Sequence, residues 1–142
     1  MPSSSYDAVA QVSMQLIGSD ASVTVVATEL SFRIDDPYTV RAVFTGPHTM
    51  STWLLGRELL VQGVAASAEV PAGTGDVQVW RDEDPSFVLL SLSGVEGSAL
   101  LAAPSEPLET FLAQTEALVP VGDESNRMEG EISALIAALL TA

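Results

Sequence analysis

The chain contains no cysteine and no lysine, and its single histidine is His48. Without cysteine it can form no disulfide, thiolate nucleophile or thiolate-bound zinc site. Without lysine it has no Walker-type phosphate loop, no Schiff base and no Ser/Lys nucleophile pair. Long apolar runs are missing too: the longest, Ala134 to Leu140, falls far short of the ~20 residues that span a bilayer. No basic stretch precedes an apolar one near Met1, so a soluble chain without an export signal is expected. Positive charge is scarce. Five basic residues, all Arg, stand against 19 acidic ones, for a net charge of −14. Affinity for nucleic acid and for anionic membranes rests largely on basic side chains, so both classes of ligand are disfavoured.

What is present is a chain of 142 residues with 47% hydrophobic side chains, enough for one domain over residues 1–142 with 1–5 as a tail. Ala10, Val12, Met14 and Leu16 alternate with polar residues, the period of a half-buried strand. Val23 to Ile34 follows as a second strand, with Val26, Leu30, Phe32 and Ile34 on one face, and Asp35-Asp36-Pro37 closes it. Tyr38 to Phe44 and Met50 to Leu55 read as two more, separated by Gly46-Pro47. Arg57 to Gln62 is a short helix stopped by Gly63. Strands at Asp76 to Trp80, Phe87 to Leu92 and Gly97 to Ala103 come after a stretch from Val64 to Gly75 that is a loop or a weak edge strand. A helix capped by Ser105 carries Leu108, Phe111, Leu112, Thr115 and Leu118 at helical spacing, and a second runs from about Asp123 with an Ile132, Leu135, Ile136, Leu139, Leu140 stripe. The expected core is Val26, Leu30, Phe32, Val40, Phe44, Val77, Val79, Leu89, Phe111 and Leu112.

The polar constellations favour structure over chemistry. Asp35-Asp36 and Asp82-Glu83-Asp84 each precede a proline and lack the alternating oxygen pattern of a calcium loop, which makes them solvated turns. His48 has no second histidine to share a metal and sits in a turn. Gly73-Thr74-Gly75-Asp76 precedes a strand, so no helix N-terminus receives a phosphate there. No catalytic, cofactor-binding or metal-binding residue is expected, and no cleft should bring Arg41, Arg57 or His48 within reach of a carboxylate. The apolar pattern says more. Phe87 to Leu92 carries large side chains on both faces, so either helices cover the second face or that face is an interface, for which Trp80, Val88, Leu90, Leu92, Leu135 and Leu139 are the candidates.

Asp36-Pro37-Tyr38-x-Val40-Arg41-Ala42-x-Phe44, Trp53-x-x-x-Arg57-Glu58-Leu59-Leu60-x-x-Gly63 and Gly73-Thr74-Gly75-Asp76-Val77-x-Val79-Trp80 form one recognisable series. It continues through Gly97-x-Ala99-Leu100-Leu101-x-Ala103-Pro104, Leu108-x-x-Phe111-Leu112 and Val119-Pro120-x-Gly122. Together these segments resemble the SsgA-like proteins of sporulating actinobacteria. The resemblance implies an α+β fold of two antiparallel β-sheets, each four strands plus a helix, with C-terminal helices, similar to the whirly-type fold. It also implies a non-enzymatic regulator of sporulation-specific division that needs no cofactor. Such a regulator would be a homo-oligomer, expected as a trimer, cytoplasmic and recruited to the septum. It would reach the tubulin-like GTPase FtsZ directly or through another SsgA-like protein, with no insertion into the membrane. The whirly comparison leaves one alternative, a single-stranded nucleic-acid binder with Trp53, Trp80, Tyr38 or Arg41 as stacking platforms, which the absence of lysine opposes.

Overall fold

The computed structural model describes residues 6–95, 97–125 and 136–140. The elements run β1 (Ala8–Ile17), β2 (Val23–Arg33), β3 (Asp36–Thr45), β4 (Met50–Gly56), α1 (Arg57–Gly63), β5 (Val77–Arg81), β6 (Phe87–Gly94), β7 (Gly97–Pro104) and α2 (Ser105–Leu118). Alternation of apolar and polar residues placed each strand, because a half-buried pleat exposes every second side chain. Asp36 and Pro37 belong to β3 and do not end β2. The turn is Ile34-Asp35, tied down by Ile34 N donating to Asp7 Oδ2 at 2.7 Å.

The strands form one antiparallel sheet of seven, ordered β4-β3-β2-β1-β7-β6-β5, where two sheets were expected. Each half is a meander of local hairpins, but β1 joins them. One of its edges pairs with β2 from Ala8↔Phe32 to Ile17↔Val23, and its other edge meets β7 through Gln15↔Ala102, Leu16↔Leu101 and Ile17↔Leu100 alone. Such a non-local ladder leaves no mark in local pattern.

The sheet is curled. The short helix α1 touches β5 as well as β3 and β4, which lie at opposite ends of the strand order. The inner face carries Val12, Met14, Val26, Leu30, Phe32, Val40 and Leu55 from one half and Val79, Val88, Leu90 and Leu101 from the other. Leu60 of α1 and Leu108, Phe111 and Leu112 of α2 fill it. Each such side chain contributes roughly 1.5–3 kcal/mol by leaving water. Val77 and Leu89, expected in the core, are half-buried.

Two helix ends differ from the sequence reading. Ser105 is the first residue of α2 and not its cap; Pro104 takes that position, and Ser105 Oγ donates to Pro85 O at 2.7 Å. Gly63 is buried as the last residue of α1, and a Cβ there would overlap the Val79 side chain. Its role is to let α1 approach β5 closely. Gly73, by contrast, serves a turn, with φ at +92° and its carbonyl accepting Gln78 Nε2 at 3.2 Å.

Candidate functional site

Of the six residues expected at an interface, the structure separates Trp80 from Val88, Leu90 and Leu92. Trp80 pairs with Leu89, so the two share the outer face of the sheet, while the even-numbered β6 residues point inward. Val88, Leu90 and Leu92 are 0%, 1% and 4% exposed and packed in the core. Helices cover that face, so these three are unavailable to a partner. Leu135, with Ile132 of the same stripe, lies outside the described residues. Leu139 is helical and 67% exposed, and its neighbours Ile136 and Leu140 are also uncovered.

The outer face keeps the apolar character that the sequence reading assigned to the wrong set of β6 residues. Phe87 and Leu89 of β6, Leu100 of β7 and Trp80 of β5 are half-buried on it, and the face runs on through Ile17 to exposed Val23 and Val25. The signal was available, since Phe87 and Leu89 share a parity that Val88 and Leu90 do not.

A second feature is a groove of about 670 Å³ at the end of the curl away from the helices. Strand ends build it: Leu16, Val26, Phe44, Ser51 and Trp53 from the β1 to β4 half, Leu92, Ala99 and Leu101 from the other. Among the described residues, no charged side chain lines it. The stacking platforms proposed for a nucleic-acid binder are not gathered there. Trp53 faces the inner side of its half-sheet, Tyr38 is exposed near the start of β3, Arg41 lies on the outer side against the Tyr6 ring, and Trp80 belongs to the distal half.

The third feature is a buried ion pair that the sequence reading missed: Arg57, expected to meet no carboxylate in a cleft, meets one inside the protein. Arg57 is 0% exposed at the start of α1. Its Nη2 donates to Glu124 Oε2 at 2.9 Å, and its Nη1 donates to Val119 O at 2.6 Å and Thr115 O at 3.1 Å. The guanidinium also stands 5.2 Å from the Phe32 ring centroid. The hydrogen bond from Arg57 holds the Glu124 carboxyl below its ordinary value despite the opposing effect of burial. One signal was present: Arg57 shares a helical stripe with Leu60 and Gly63, the other buried residues of α1. The pair lies inside the protein and not in a cleft, so it clamps the segment after α2 and offers a substrate nothing.

The remaining polar groups serve turns. His48 is exposed, as expected. Asp84 caps its own turn by accepting from Ser86 N at 3.0 Å and Phe87 N at 3.1 Å. Ser22 holds Asp20 below the ordinary carboxyl value by hydrogen bonding. Among the described residues, no cluster of three or more His, Cys, Asp or Glu side chains is placed to hold a metal, and no helix is long and apolar enough to cross a membrane.

The chain as a whole is similar to known proteins. Residues 26–124 match the family described as Streptomyces sporulation and cell division protein, SsgA. The sporulation-specific cell division protein SsgB of Streptomyces coelicolor is 38% identical over 132 residues, covering 89% of this chain and 93% of that one. The SsgB of Thermobifida fusca is 35% identical over 91% of this chain and 93% of its own. Among solved structures, an SsgB chain whose mutations correlate to longitudinal cell division during sporulation of S. coelicolor matches with a TM-score of 0.77 at 37% identity, over 87% of this chain and 98% of that one. The SsgA-like sporulation-specific cell division protein of T. fusca matches with a TM-score of 0.78 at 36% identity, over 96% and 98%. The family match runs from Val26 in β2 through α2 to Glu124, the partner of Arg57, and the chain belongs to the SsgA family of sporulation and cell division proteins.

Proposed function

We propose that this protein is a non-enzymatic adaptor of sporulation-specific cell division that associates with copies of itself, as a trimer, and helps bring the tubulin-like GTPase FtsZ to septum sites. The observation that carries the reading is the likeness to SsgB over nearly the whole of both chains. An adaptor works through surfaces, and two with large apolar side chains are open here, the outer face around Trp80, rimmed by Glu69, Asp82 and Glu83, and the groove beside Trp53. The outer face is assigned to self-association, because Trp80, Leu89 and Leu100 lie on one side of three adjacent strands. The net charge of −14 suits a partner with complementary basic groups.

Deleting the gene in its sporulating host and imaging a fluorescent fusion tests the process. Loss of sporulation septa, with the fusion at septum sites before FtsZ, supports the reading; normal septation with diffuse fluorescence refutes it. Sedimentation equilibrium tests self-association, with Trp80→Glu expected to shift the particle toward the 14.8 kDa subunit while circular dichroism stays unchanged. Wild-type protein that sediments as a monomer at micromolar concentration ends the trimer proposal.

A further inference from the structure

The two edges of the sheet are treated differently. The outer edge of β5 is covered: Ala72 and Val79 exchange both backbone hydrogen bonds at 2.9 Å, and Arg81 N donates to Ala66 O at 2.9 Å. The outer edge of β4 has no such cover. Its ladder partner is β3, and among the described residues no backbone group from elsewhere pairs with it. In an antiparallel edge strand, alternate residues turn N–H and C=O outward. Proteins guard such edges with charge, proline, bulges or extreme shortness, because a bare edge templates another strand. β4 uses none of these. Its sequence, MSTWLLG, is seven residues with no charge and no proline, in unbroken register from Thr39↔Gly56 to Thr45↔Met50.

The groove opens beside this edge. Ser51 and Trp53 of β4 line it together with Val26, Phe44, Leu92 and Leu101. A strand laid along β4 would gain main-chain hydrogen bonds from the edge and could place every second side chain against the groove, the two requirements of strand addition.

We propose that β4 accepts an extended segment of a partner protein, apolar at alternate positions and flanked by basic residues, as an added strand. The apolar lining of the groove, with Leu16, Val26, Phe44, Trp53, Leu92 and Leu101, selects the apolar positions. The net charge of −14 selects the basic flanks. Seven residues of β4 offer roughly 24 Å of ladder at the strand rise. The proposal rests on the adaptor reading for the partner's identity alone, and the binding itself is testable without it.

The probe is a fluorescein-labelled peptide of about nine residues, alternating Val and Thr between Lys-Arg ends, a length that matches the edge. The control peptide has the same charge, with its central residue replaced by proline, which cannot complete a ladder. Fluorescence anisotropy on the full chain is expected to give saturable binding at roughly 10–100 µM, with the proline peptide weaker by about tenfold or more. Ser51→Glu, at an exposed position on the groove rim, is expected to weaken the Val/Thr peptide by about tenfold although it adds charge attraction, with unchanged circular dichroism. Equal binding of the two peptides, tighter binding to Ser51→Glu or no saturation below about 1 mM would each overturn the proposal. So would a peptide-free self-association that Ser51→Glu abolishes, which assigns the edge to a second copy. Any of these failures leaves the septation experiment standing, so the two readings fail separately.

Discussion

Replacing Arg57 by Ala tests the buried clamp most directly. The side chain is 0% exposed and its Glu124 partner 7%, so neither charge is screened as a surface pair would be. Removing the guanidinium strands Val119 O, which has no other donor among the described hydrogen bonds, and leaves the Glu124 carboxylate with backbone donors, the N–H groups of Gly122 and Glu124. Thr115 O is spared, since it also accepts from Val119 N at 2.9 Å. Breaking one side of a buried pair costs about 3–5 kcal/mol, and the contact with Phe32 is lost as well. We expect Arg57→Ala to destabilise by ~4 kcal/mol, a large part of a domain's 5–15 kcal/mol, and to lower Tm by roughly 10–15 °C. Glu124→Ala should cost less, ~2–3 kcal/mol, because Arg57 keeps its two carbonyls and the site lies nearer the surface. Urea titration of both single variants and the double variant gives the coupling, expected at ~2 kcal/mol. Arg57→Ala costing under about 1 kcal/mol, or a coupling near zero, would refute the clamp.

Acid titration follows from the same pair. Because the Glu124 carboxyl is lowered in the fold, its contribution is fully present above the ordinary value of 4.5 and is lost as pH falls below it, so Glu124→Gln should flatten that limb of the stability curve. Gly63→Ala is expected to destabilise by ~1–3 kcal/mol in urea, although helix propensity alone predicts a gain, because the new Cβ meets Val79. Gly75→Ala, with open space around it, should change stability little in the same assay. Raising salt from about 20 mM to 0.5 M should raise Tm by a few degrees, since the net charge of −14 repels itself; a fall in Tm would contradict this.

Periodicity and turn chemistry made most of the fold legible. The seven strands, α1 and α2 lie within a residue or two of their expected positions, since the pleat and the helix each impose a local repeat on side-chain polarity; most of the second helix expected from about Asp123 lies outside the described residues. Four things were not legible, each for a reason of distance or register. The β1 to β7 ladder joins residues 15–17 to 100–102, and no local repeat records such a pairing. The faces of β5 and β6 are tied by the register Trp80↔Leu89, which depends on how the hairpin closes. The partner of Arg57 lies 67 positions away, and an arginine among good helix formers reads as a surface residue until its neighbours on the stripe are considered. The groove was invisible for a related cause, since it is made of strand ends contributed by both halves.

The three-pair joint between β1 and β7 also sets a timetable for synthesis. At about 5–20 residues per second, the chain emerges with β1 to β4 complete several seconds before residues 100–102 exist. During that interval the nascent meander presents two open flanks, one of them the future middle of the sheet, which in the finished molecule β7 occupies. A ribosome stalled before residue 100 should therefore hold a species that captures stray strands or chaperones, and one stalled well after it should not.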